Sequence, residues 1–183
     1  EVAAPLNEQL FTSMSRLEDG GVMGCSWNHN SDSIDCQISD EQLQRWQYVS
    51  SPLFDDEGYL GYGSASLVLS NGDIAFLFNE GEELRVRVYS YTEDTWSTLP
   101  ASNYSSQFNT HNLFTNPLHQ TSDDRLMIFH NSHQPEDRWD PQIAVELFSF
   151  DSMEWTDTYI LPDNVEHVHN FVEIGPDVFL VTY

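Results

Sequence analysis

The side chains of this chain with the greatest chemical reach are seven histidines, thirty carboxylates and two cysteines. His167 and His169 flank Val168. In a strand the two imidazoles share one face, a spacing that suits a metal site. His130 and His133 stand beside a proline-containing stretch. Acidic runs recur at Asp55-Asp56-Glu57-Gly58, Glu80-Gly81-Glu82-Glu83 and Asp123-Asp124. Calcium needs roughly six to eight converging oxygens. None of these runs has an EF-hand spacing, so solvated turns with weak, diffuse Ca2+ binding are the expectation. No G-x-S-x-G, P-loop or H-E-x-x-H occurs. No resident cofactor is expected, and copper is not. With so many acids, a carboxyl pair at glycosidase distance has no diagnostic value in the sequence alone.

Cys25 and Cys36 are separated by ten residues, and the stretch between them contains the polar run Asn28 to Ser33. That run reads as a turn, so the cysteines fall on neighbouring strands of one hairpin. A disulfide is expected, and with it an oxidising compartment. A loop of this size contributes on the order of 2–3 kcal/mol. Asn103-Tyr104-Ser105 is an N-glycosylation sequon in a polar stretch. Glycan on Asn103 agrees with the cysteines. The chain opens at Glu1 with no start Met and no secretory apolar segment, which reads as a mature, processed chain. No apolar run reaches membrane-spanning length. The expectation is a secreted, extracellular glycoprotein.

Charge narrows the partners. The net charge is −24, the six basic residues are all Arg, and Lys is absent. Phosphate backbones and anionic membranes find nothing to neutralise them here. Divalent cations or basic proteins remain as charged partners.

The elements that must position these groups announce themselves by repetition. Val86 to Trp96 is an alternating apolar strand, a polar turn and a Trp, closed by Leu99-Pro100. Val145 to Trp155 repeats it, closed by Leu161-Pro162. Upstream, Gly72 to Asn79 aligns without gaps to Asp124 to Asn131 and to Pro176 to Tyr183, at two equal offsets of 52 residues. Ser66 to Leu69, a Ser-Asn-Gly turn and Ile74 to Phe78 read as a hairpin. Apolar runs of this kind suit strands buried on both faces. A period near 50 with several strands per unit predicts β-propeller blades.

The Tyr–Trp spacing of Tyr89 and Trp96, and of Phe148 and Trp155, resembles the blades of the Kelch family and its galactose-oxidase-like relatives. The resemblance covers roughly residues 60 to 183. The diglycine of those families is absent: Phe78-Asn79 and His130-Asn131 stand in its place. The resemblance implies four-stranded antiparallel blades, and it implies copper or carbohydrate chemistry as one functional class. No motif carries copper ligands over residue by residue.

The predicted fold is all-β, a partial propeller of about three and a half units. An N-terminal segment spans 1–19, where Leu6, Leu10, Phe11, Met14 and Leu17 suit a short amphipathic helix or a strand docking on a blade. Units follow at about 20–52, 53–100, 101–162 and an incomplete 163–183. The last unit supplies only its first hairpin. Its edge, Val178, Phe179, Leu180, Val181 and Tyr183, is therefore expected to meet a second chain or a further segment that completes the ring. The leading functional expectation is a secreted, non-catalytic interaction or structural module, paired with another protein chain. The alternatives are a galactose-oxidase-like copper or carbohydrate-active enzyme and an acidic calcium-binding matrix protein.

Overall fold

The computed structural model describes residues 13–28, 33–42, 44–49, 65–80, 83–101, 117–132, 142–162, 170–175 and 178–182. Among them every regular element is a strand. The first sheet contains β1 (Ser13–Arg16), β2 (Val22–Asn28), β3 (Ser33–Ser39) and β4 (Trp46–Tyr48). The second contains β5 (Ala65–Val68), β6 (Ile74–Glu80), β7 (Glu83–Ser90) and β8 (Thr95–Thr98). The third contains β9 (Leu118–Gln120), β10 (Leu126–Ser132), β11 (Gln142–Ser149) and β12 (Glu154–Ile160). A two-stranded sheet of β13 (Asn170–Gly175) and β14 (Val178–Thr182) follows. Within each sheet, every strand pairs antiparallel with its neighbours in sequence. This is the four-stranded meander of a propeller blade, three times over and then half built.

The first strand of each sheet is innermost, because β1 lies against β5 and β5 against β9. The expected N-terminal segment therefore contributes a blade strand. β1 begins at Ser13, ahead of residue 20, where the first unit was expected to open. Ser13-Met14-Ser15-Arg16 has too little apolar character to announce a strand. Its partner β2 holds it in the sheet.

The first hairpins share one turn. Leu17, Leu69 and Thr121 each accept from Gly20, Gly72 and Asp124 N–H, and donate to Gly21, Asp73 and Arg125 carbonyls. Gly20 (φ 89°), Gly72 (φ 85°) and Asp124 (φ 63°) take the same left-handed conformation, 52 residues apart. Glycine adopts it without a Cβ clash, and Asp is among the few other residues that tolerate it. In the last unit the same frame places Pro176 there. Proline fixes φ near −65°, which is incompatible with a left-handed position. Residues 176 and 177 lie outside the described residues. β13 and β14 instead pair Gly175 with Val178, with an irregularity between Glu173 and Gly175.

A one-residue slip moves a strand's whole side-chain set to the other face. In β6 the even-numbered Ile74 and Phe76 pack towards the first blade, and Ala75 and Leu77 towards the third. The equivalents of Ala75 and Leu77 in β14 are Phe179 and Val181, and these face back onto the third blade. The last hairpin is thus inverted relative to the sequence frame.

The cores lie between sheets. Met23, Cys25, Cys36, Ile74, Phe76 and Tyr89 fill the space between the first two blades. Leu77, Val86, Leu118, Leu126, Ile128 and Phe148 fill the next. Third strands share a buried polar residue at a common position: Gln37, Arg87 and Glu146, at 0%, 6% and 0% exposure. Their neighbours Cys36, Val86 and Val145 face the opposite way.

Candidate functional site

The tight turns after the first and third strands of each four-stranded blade lie at one end of the sheets. Residues 29–32, 50–64, 81–82, 102–116, 133–141 and 163–169 fall outside the described residues. Asn103, His167 and His169 belong to those spans, and Tyr183 is also outside. Of the seven histidines, only His119 has a described side chain.

The remaining residues singled out from sequence are placed. Cys25 and Cys36 stand directly opposite on β2 and β3 and are joined by a disulfide. Their Cα atoms are 4.2 Å apart, the close spacing of a non-hydrogen-bonded antiparallel pair. Tyr89 pairs with Trp96 and Phe148 with Trp155 across the last two strands of their blades. The ring centroids are 5.1 and 5.2 Å apart. Trp155 Nε1 donates to the Pro100 carbonyl at 3.1 Å, so the Trp of one unit holds the Leu-Pro of the unit before. Leu99 is buried in the core and donates its N–H to the Val86 carbonyl, one bond past β8. Pro100 has no N–H to continue the ladder. Val178 and Leu180 are exposed, and Phe179 and Val181 are packed inward.

A cleft of about 380 Å³ opens at the tight-turn end between the second and third blades. Its floor is apolar, from Leu69, Val88, Leu99 and Phe150. Polar groups converge above it. Gln120 Nε2 donates to Ser70 Oγ (3.1 Å) and to Asp124 Oδ1 (3.2 Å), and Ser70 Oγ donates to the same carboxylate at 3.0 Å. Gln120 Oε1 accepts from the Ser70 N–H at 2.6 Å. Asp73, Asp151 and Ser149 complete the rim.

Arg125 reaches Asp123 at 2.8 Å and Asp157 at 3.3 Å. The Asp123 carboxyl is held below its ordinary range, first by the Thr121 hydroxyl. Partial burial opposes this, and the Arg125 guanidinium adds to it. Asp123 is therefore anionic at neutral pH. Among the described residues, no three His, Cys, Asp or Glu side chains come together as a metal site requires. No described helix is long and apolar enough to cross a membrane.

Sequence reasoning treated Asp123-Asp124 as a solvated turn and did not single out Gln120, Asp73 or Arg125. One signal was present. The Asx residues Asp19, Asn71 and Asp123 recur every 52 residues. Asp19 and Asn71 each accept the N–H two residues on, at 2.9 and 3.0 Å. The recurrence marks the turn, but only the stacked blades bring neighbouring turns into one cleft.

No family profile matches the sequence, and no curated protein matches it. Solved structures do. A GH43 β-1,3-galactosidase aligns over 96% of this chain and 41% of its own, with TM-score 0.56 and 9% identity. A Bifidobacterium bifidum s17 protein named for exo-β-1,3-galactanase activity aligns over 81% and 52%, with TM-score 0.53 and 12% identity. The β-propeller domain of the Trilobed protease from Pyrococcus furiosus aligns over 94% and 53%, with TM-score 0.52 and 12% identity. At these identities the likeness establishes the fold, a β-propeller, and the chain spans about half or less of each neighbour. The Kelch-type family is not among the affinities these structures support.

One expectation is corrected here. The sequence favoured a non-catalytic interaction module because no catalytic motif was visible. Two of the neighbours are named for action on glycosides, which backs the carbohydrate-active alternative over that module. Absence of a motif does not argue against that alternative, because the paired carboxyls of glycosidases carry no fixed linear spacing.

Proposed function

We propose that this chain forms part of a carbohydrate-active β-propeller enzyme that acts on neutral, galactose-containing glycans. The observation that carries the reading is the likeness to two glycoside-acting propellers over 81% and 96% of the chain. Propeller folds host many chemistries, so residue chemistry must add to the likeness. The cleft between the second and third blades does so. A sugar presents C–H faces and hydroxyl edges. Phe150, Leu69 and Leu99 offer an apolar floor to the first, and Gln120, Asp124, Asp73 and Ser149 offer donors and acceptors to the second. A net charge of −24 disfavours anionic glycans, which makes neutral ones the substrate class.

Hydrolysis needs one carboxyl protonated and one ionised at working pH. Asp123 suits only the ionised kind, and its pairing with Arg125 gives it an orienting role at the cleft wall. The Cys25–Cys36 bond supports secretion, where extracellular glycans are met. Glycan on Asn103 belongs to the same reading.

The test is a panel of immobilised neutral and anionic glycans, followed by chromatography for products released from β-linked galacto-oligosaccharides. Binding to neutral galactose-containing members, with product release, supports the proposal. Failure to bind any neutral glycan overturns it.

A further inference from the structure

We infer that the outer face of the β13–β14 hairpin is an interface for a further blade of the same propeller ring. Val172, Ile174, Val178 and Leu180 share that face and are 51%, 64%, 52% and 56% exposed. The opposite face, through Phe171, Phe179 and Val181, already packs on the third blade. The hairpin is apolar on both sides, as only a strand pair buried on both sides needs to be.

Its counterparts show what that burial looks like. Ile74, Ala75, Phe76 and Leu77 of β6 are at most 1% exposed, and so are Leu126, Met127, Ile128 and Phe129 of β10. Each of those strands lies between two stacked sheets and is paired on both edges. Among the described residues β14 pairs with β13 alone. The chain also matches only 53% of the length of an isolated propeller domain, so the neighbouring ring contains about as much sheet again.

The occupant is therefore a blade. Its own half-sheet pairs antiparallel with β14, and the next sheet lays an apolar face on Val172, Ile174, Val178 and Leu180.

The experiment compares the 183-residue chain with a version extended after Tyr183 by two strands copied from Glu83–Ser90 and Thr95–Thr98, which complete the β14 edge, and then by a whole blade copied from residues 65–98, which can stack on the outer face. Amide exchange across Val178–Thr182, binding of a hydrophobic dye and sedimentation are read for both. The expected result is fast β14 exchange and strong dye binding in the parent. The extension should slow β14 exchange at least tenfold and reduce dye binding. Leu180→Thr with Ile174→Thr in the parent should lower dye binding without changing exchange in β6 and β10, a readout independent of whether the extension folds. A parent dimer in which β14 is already protected assigns the face to a second copy and overturns the inference. A monomeric parent with slow β14 exchange and no dye binding overturns it equally.

Discussion

Tyr89 links a single hydroxyl to pH-dependent stability. Its hydroxyl donates to Asp94 Oδ1 at 2.7 Å, and its ring is 3% exposed. Burial first, then the hydrogen bond to Asp94, pushes the phenol far above its ordinary value of about 10. A raised acid favours the folded state while it is neutral. Its contribution is complete below about pH 10 and is lost as pH rises towards the folded value. Tyr89→Phe should therefore flatten the alkaline loss of stability, seen by thermal melts between neutral pH and about pH 11. Phe148 already fills the same position in the third blade. Met153 offers a second test. It sits at φ 57°, where the second blade has Asp94 at φ 51°. A left-handed non-glycine residue costs roughly 1–2 kcal/mol, and Asn tolerates it by local hydrogen bonding. Met153→Asn should raise stability by up to about 1 kcal/mol in denaturant titration. At this scale the Tyr–Trp and Leu-Pro signature was legible because the same residue types recur at the same places in successive blades. The contacts of Gln120 with Ser70 and Asp124 were not, because 50 residues separate Gln120 from Ser70.

Elements were legible wherever one turn chemistry served every unit. The recurrence at 20, 72 and 124 reports a left-handed position that glycine or Asp fills. The last hairpin departs from that frame, with Phe179 and Val181 turned back onto the third blade, which apolar alternation alone could not reveal. Phe179 and Leu180 are equally fit for either face. β1 was legible only as one of two alternatives, a short helix or a docking strand, because two of its four residues are Ser and one is Arg. The disulfide ties β2 to β3 inside the first inter-blade core, with both cysteines 1% exposed. Replacing both by Ala should cost about 2–3 kcal/mol from the unfolded-state entropy alone. Phe148→Ala, at 0% exposure between the second and third blades, should cost about 3–5 kcal/mol. Urea titration reads both. An unchanged midpoint for Phe148→Ala would place that ring outside the core.

The whole molecule is governed by its charge. At −24 the folded chain repels itself, and salt screens that repulsion over about 8–10 Å at ordinary ionic strength. The melting temperature should rise as NaCl increases from about 0.01 to 0.5 M. A flat response would show that the carboxylates are already balanced by local partners such as Arg125. The propeller was readable at this scale from the equal offsets, because a period is a property of the whole chain. The cleft was not, since a cleft built from two blades has no linear signature. The central claim is that this cleft belongs to a glycan-acting propeller. The most direct measurement is calorimetric titration of the intact chain and of Gln120→Ala with the neutral galacto-oligosaccharide that binds most tightly on the panel. The account predicts binding by the intact chain and at least tenfold weaker binding by the variant, with the fold unchanged by circular dichroism. Equal affinity for both proteins, or heat from neither, would contradict it.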